Sequence, residues 1–132
     1  MKDSGAWPTR ARPRYMPSVL KGRHTLPRRS TAIMFGPLLP WLSDSQDSLD
    51  AMFQRAADLQ VEVIWVDALN PRPRVWPAVS QLLRDRFPDL LERYRQMLFD
   101  SGARARYMAE LGQRVQRAAD RVSLQGRIVR CF

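Results

Sequence analysis

VEVIWVDALNPRPRVWPAV, residues 61–79, is the stretch on which the fold turns. Residues 61–66 are apolar apart from Glu62, rich in β-branched side chains, and read as a buried strand. The run ends on Asp67, Ala68, Leu69 and Asn70. Pro71 and Pro73 then stiffen a segment that carries Arg72 and Arg74, and Pro77 suits the first turn of a helix. In α/β proteins, the position just past the carboxyl end of a strand is where ligands bind. Polar residues and a braced loop at that point make 67–74 the first candidate for a site.

Upstream, Ala32, Ile33, Met34 and Phe35 form a short apolar run closed by Gly36-Pro37, which reads as another buried strand. Ser43 and Gln46 match a capping box, and Asp44, Asp47 and Asp50 favour a helix N-terminus there. Leu49, Met52, Phe53, Ala56 and Ala57 then repeat along one helical face. Strand, helix and strand within residues 32–66 make a βαβ unit, with parallel strands and a right-handed crossover. Downstream, Val79, Leu82 and Leu83 mark a helix that Phe87-Pro88 breaks. Leu90, Leu91, Tyr94 and Leu98 mark another, which Asp100-Ser101-Gly102 ends. A long last helix carries Tyr107, Met108, Leu111, Val115, Ala118, Ala119 and Val122. The predicted class is α/β, with a β/α part at 31–87, helices at 88–124 and a tail at 125–132. Two parallel strands leave both sheet edges open and bury too little surface. Something must therefore pair outside the first strand, either another chain or earlier strands of the same domain.

Charge is unevenly placed. Of the net +9, residues 1–30 carry eight Lys/Arg against one acid, and residues 31–132 carry 14 basic against 12 acidic side chains. The leader holds four of the ten prolines and shows no period, so it reads as a disordered basic arm. Arg28-Arg29 raises a twin-arginine export signal, but Pro37 and Pro40 interrupt the apolar stretch that would follow. With a single cysteine, Cys131, and a single histidine, His24, there is no Cys/His metal cluster and no histidine-based triad. A lone cysteine fits a reducing compartment, which points to the cytoplasm, and no apolar run reaches the length of a membrane span.

GPLLPWLSD at 36–44, VDALNPRPRVWP at 66–77 and FPDLLERYRQMLFD at 87–100 resemble the C-terminal part of radical S-adenosylmethionine (SAM) proteins. The nearest branch is the spore photoproduct lyase and DNA repair photolyase-like group, and the resemblance runs from about Ala32 to about Leu124. It implies the last two parallel strands of a partial (β/α) barrel, with residues 33–35 as the fifth strand and 61–66 as the sixth, followed by a C-terminal helical segment. In that family a CxxxCxxC loop holds a [4Fe–4S] cluster that reductively cleaves SAM. The resemblance places Leu69 and Asn70 at the adenosine edge. It makes Asp67 a hydrogen-bond acceptor at the barrel mouth, and it sets Arg72 and Arg74 to meet a carboxylate or phosphate of substrate.

This chain has no CxxxCxxC, and one thiolate cannot hold such a cluster. The reading is therefore a C-terminal fragment, inactive alone, whose partner is a missing N-terminal barrel half or another pairing chain. The competing reading is a small nucleic-acid-binding protein that uses the basic arm. Plainer roles stand beside each candidate residue. Asp67 is equally a turn or capping residue, Asn70-Pro71 a turn opener, and Arg72 and Arg74 solvated charges. Trp65 and Trp76 read as packing, and Tyr94 and Tyr107 as core. Cys131 reads as inert, and Arg104, Arg106, Arg114, Arg117 and Arg121 as a solvated helix face. The fragment reading makes one cheap prediction. Coding sequence upstream, translated in all frames, should contain a CxxxCxxC loop and four β/α units that read into Ala32; their absence there would remove the fragment reading.

Overall fold

The computed structural model describes residues Thr31–Phe132, which form one compact unit. The leader at 1–30, with its expected disorder and its twin-arginine candidate, lies outside the described residues. In chain order the elements are β1 (Ala32–Leu38), α1 (Gln46–Asp58), β2 (Val63–Ala68), α2 (Val75–Arg86), α3 (Pro88–Phe99) and α4 (Ser101–Arg121). A 3-10 turn (Gln125–Arg127) and β3 (Ile128–Arg130) follow. The α/β class is as expected. The sheet, however, has three parallel strands in the order β1-β2-β3, not two. Residues 128–130, read above as part of a tail, pair with β2 in the register Ile64↔Ile128, Trp65↔Val129 and Val66↔Arg130. The backbone N–H of Cys131 also donates to the carbonyl of Val66 (2.9 Å). A run of three residues is too short for a periodic signal, which is why sequence reading passes over it.

Two strand boundaries also move. Gly36-Pro37 does not close β1. It makes an irregularity between Phe35 and Leu38, beyond which Leu38 pairs with Ala68. Glycine is needed there because its φ is +154° and an added Cβ would lie 2.8 Å from the backbone oxygen of Asp67. At the other boundary, Val61 and Glu62 are taken up in leaving α1. Gln60 adopts φ +55°, Val61 N–H donates to the carbonyl of Ala56, and Glu62 N–H donates to the carbonyl of Thr31. β2 therefore starts two residues later than expected and runs through Asp67 to Ala68.

The helix caps differ from expectation in detail. Ser45, not Ser43, caps α1, its Oγ accepting from Ser48 N–H (3.1 Å). Ser43 Oγ instead accepts from Leu39 N–H (2.8 Å), inside the turn that leaves β1. Asp100 both ends α3 and caps α4, its Oδ2 accepting from Ala103 N–H (2.7 Å), while Pro88 opens α3 at its first turn. Of the residues expected inward on α2, Leu83 is buried, Val79 half-buried and Leu82 exposed.

Among the described residues the helices pack on one face of the sheet. Side chains alternate along a strand, so Ile33, Phe35, Ile64, Val66 and Ile128 share one face. All five belong to, or pack on, the hydrophobic core, together with Leu49 and Phe53 of α1 and Leu111 and Val115 of α4. The Phe35 and Phe53 rings meet edge to face at 5.3 Å. Ala32, Met34, Val63, Trp65 and Val129 lie on the other face and are not part of that core. Met34 is 56% exposed there. Gly36→Ala tests the tight β1–β2 approach. It should destabilise the protein by about 1–3 kcal/mol in urea unfolding, with helix content retained. An unchanged midpoint would mean that β1 does not press on Asp67.

Candidate functional site

Among the described residues no side-chain hydrogen bond or ion pair joins the residues expected at the carboxyl end of β2 to one another. Asp67 is half-buried on the sheet face that points away from the core, and its Oδ1 accepts from the N–H of Ala68 (2.9 Å). Leu69 is 2% exposed and belongs to the core, so its side chain presents no edge at the surface. Asn70 is exposed, and its carbonyl accepts from Arg72 N–H (2.8 Å). The Arg72 carbonyl accepts from Val75 and Trp76 N–H (2.9 and 3.0 Å), which starts α2. The side chains of Arg72 and Arg74 are exposed. Trp76 meets Phe99 of α3 edge to face at 5.3 Å, as expected of a packing residue.

The structure gathers polar side chains instead around the loop after β1, residues 39–45. Asp44 is 4% exposed and is the centre of the cluster. Its Oδ1 accepts from Trp41 N–H (2.9 Å), and its Oδ2 accepts from the Tyr107 hydroxyl (2.5 Å) and from an Arg114 guanidinium nitrogen (3.2 Å). Arg114 Nε also donates to the Asp44 carbonyl (2.9 Å). Nearby, the Tyr94 hydroxyl donates to the carbonyl of Pro40 (2.6 Å). Both tyrosines are core residues, as expected, but each also ties this loop to a helix. Burial raises the pKa of Tyr107, and the hydrogen bond to Asp44 adds to the shift; burial and then the charge of Asp44 do the same for Tyr94.

The arginines of α4 are therefore not a uniformly solvated face. Arg114, Arg117 and Arg121 form a stripe toward α1. Arg114 reaches Asp44, Arg117 donates to Gln46 Oε1 (3.0 Å), and Arg121 pairs with Asp50 Oδ2 (2.7 Å). Gln46 completes the contact by donating to the carbonyl of Arg114 (3.1 Å). The outer pair, Arg121–Asp50, has an exposed guanidinium and contributes little; the inner pair sits on a buried carboxylate. Sequence reading assigned Asp44 to the helix N-terminus because an acid is favourable there, and no local pattern links it to residues 63 and 70 positions away.

Above this cluster, the β1–α1 loop, α3 and α4 line an open cleft of about 600 Å³. Trp41 stands at its edge with φ +60°, a left-handed conformation that costs a bulky residue roughly 1–2 kcal/mol. Its indole is 40% exposed and leans on Tyr94 (5.6 Å) and Tyr107 (6.2 Å), with the Arg93 guanidinium 4.2 Å over the ring. Sequence reading gives Trp41 no role beyond its place in GPLLPWLSD, because its contacts with Tyr94 and Tyr107 are non-local.

Among the described residues no group of three or more His, Cys, Asp or Glu side chains could hold a metal ion, and Cys131 is a free, exposed thiol. No described helix is long and apolar enough to cross a membrane. Compared with known proteins, the chain matches no family model, no curated protein and no solved structure.

The Asp44 cluster predicts a specific loss. Asp44→Ala leaves Arg114 without its carboxylate and should cost about 3 kcal/mol or more in denaturant unfolding. The buried tyrosines set the alkaline limit. They hold their protons in the folded state while unfolded tyrosines ionise near pH 10, so stability is full below that pH and falls as pH rises above it. Tyrosinate absorbance should then appear together with unfolding. Titration of Tyr107 and Tyr94 in the folded state near pH 10 would contradict this account.

Proposed function

We propose that residues 31–132 are the closing β/α segment of a radical SAM barrel enzyme similar to the spore photoproduct lyase and DNA repair photolyase-like group. The segment would act with a barrel half that carries the iron–sulfur cluster. The observation that carries this reading is that the described helices share a core with one face of the sheet. A barrel strand packs helices on its outer face and turns its other face to the lumen. Here α1 and α4 share a core with one sheet face, while Met34, Trp65 and Asp67 lie on the other. Among the described residues β1 is an edge strand, and further parallel strands would add there.

Within that reading, Asp67 is the acceptor at the barrel mouth: one carboxylate oxygen is held by Ala68, and the other accepts no hydrogen bond among the described residues. Asn70 would contact the adenosine, Leu69 would act only by fixing the backbone beneath it, and exposed Arg72 and Arg74 would meet an anionic group of the substrate. The donor set for a cluster is not on this segment, so the [4Fe–4S] group and the reductive cleavage of SAM that it supplies belong to the other half. A reducing, cytoplasmic setting suits that chemistry and keeps Cys131 a free thiol.

Co-expression tests the proposal. The chain is produced with a separately encoded, CxxxCxxC-bearing N-terminal half of a spore photoproduct lyase-like barrel. The two should co-purify, and only the pair should form 5′-deoxyadenosine from SAM under a strong reductant. Asp67→Ala should lower that yield about tenfold or more without separating the halves. Absence of both association and nucleoside formation would refute the reading.

A further inference from the structure

We propose that the cleft between the β1–α1 loop, α3 and α4 binds a small oxyanion carried on a flat apolar ring. Trp41, with the Arg93 guanidinium stacked 4.2 Å over its indole, would be the platform for the ring, and Arg93 and Arg106 the contacts for the anion. The proposal stands on the cleft alone and does not depend on the barrel reading.

The first reason is Trp41 itself. Its backbone sits where glycine is the low-strain residue, and its indole stays 40% exposed. Neither backbone preference nor full burial accounts for a tryptophan at this point. The residue is nevertheless held in place: Asp44 accepts from its backbone N–H, and the Tyr94 and Tyr107 rings support the indole from the helices. Strained residues that the surrounding structure holds firmly in this way tend to occur where ligands are clamped.

The second reason is the charge in the cleft. Asp44 is satisfied by Tyr107, Arg114 and Trp41, so its carboxylate is not offered outward. Arg93 and Arg106 also line the cleft, one on each helix, and neither forms an ion pair among the described residues. Glu110 lines it too and offsets one of these charges, which favours a single anionic group over a polyanion. Met97 and Ala103 add apolar surface. A volume of about 600 Å³ suits a small organic molecule. Guanidinium groups beside an aromatic face are the arrangement that carboxylates and phosphate monoesters on planar rings recognise.

Binding to the full chain is measured by tryptophan fluorescence and calorimetry, with phenyl phosphate and benzoate as probes and inorganic phosphate and phenol as their halves. At least one probe should bind saturably, about tenfold tighter than either half, and added salt should weaken it. Preference for phenyl phosphate would identify a phosphate monoester as the natural class, and preference for benzoate a carboxylate. Trp41→Gly, which relieves the backbone, should remove the advantage of the ring. Arg106→Ala, an exposed change with no ion pair to break, should weaken the probe about tenfold and leave the unfolding midpoint unchanged. If neither probe outbinds its halves, or if both variants bind like the parent, the proposal is overturned.

Discussion

One buried carboxylate organises this protein. Asp44 receives a backbone N–H from its own loop, a hydroxyl from Tyr107 and a guanidinium from Arg114, so the turn after β1 is held by the last long helix. A carboxylate taken out of water is costly unless its oxygens are all engaged, and here both are. The position of α4 over α1 follows from the same contact. Arg117 and Arg121 extend it along the helix pair with weaker, exposed bonds, while Leu111, Val115, Ala118 and Ala119 supply the apolar side of the same helix.

The sheet depends on this arrangement because only one of its faces is packed by the helices. Phe35, Ile64 and Val66 are buried against α1 and α4, whereas Met34 on the reverse side is exposed. β2 gains a neighbour on both sides once β3 is in place, and it is the most deeply buried strand. Among the described residues β1 pairs with β2 alone. That asymmetry, and not any single side chain, is what supports placing the unit in a larger barrel.

How much of this was legible in the sequence depends on the range of each interaction. The βαβ unit and the helices could be read because Leu49, Phe53 and Ala56, or Leu111, Val115 and Ala118, repeat at the helical period over several turns. Element ends were less legible. Asp67 looked like a strand terminator but lies within β2, because the irregularity at Gly36-Pro37 lets β1 continue and pair Leu38 with Ala68. β3 was missed because its pairing is non-local and its run is short. The site was the least legible part. Asp67, Asn70, Arg72 and Arg74 are close in sequence and so drew the reading, whereas Trp41, Asp44, Arg93, Tyr107 and Arg114 come from three segments and meet only through the packing of α3 and α4.

The Gly36-Pro37 irregularity has a further effect on the side of β1 away from β2. Proline has no N–H to offer, and the ladder with β2 is interrupted between Phe35 and Leu38. A strand arriving at the outer side of β1 would find a regular row of hydrogen-bonding groups only along residues 32–35. That short template allows few registers. It disfavours long edge-to-edge stacking between copies of the chain, the usual hazard of an outer parallel strand, and it would admit a native neighbour only in a defined alignment.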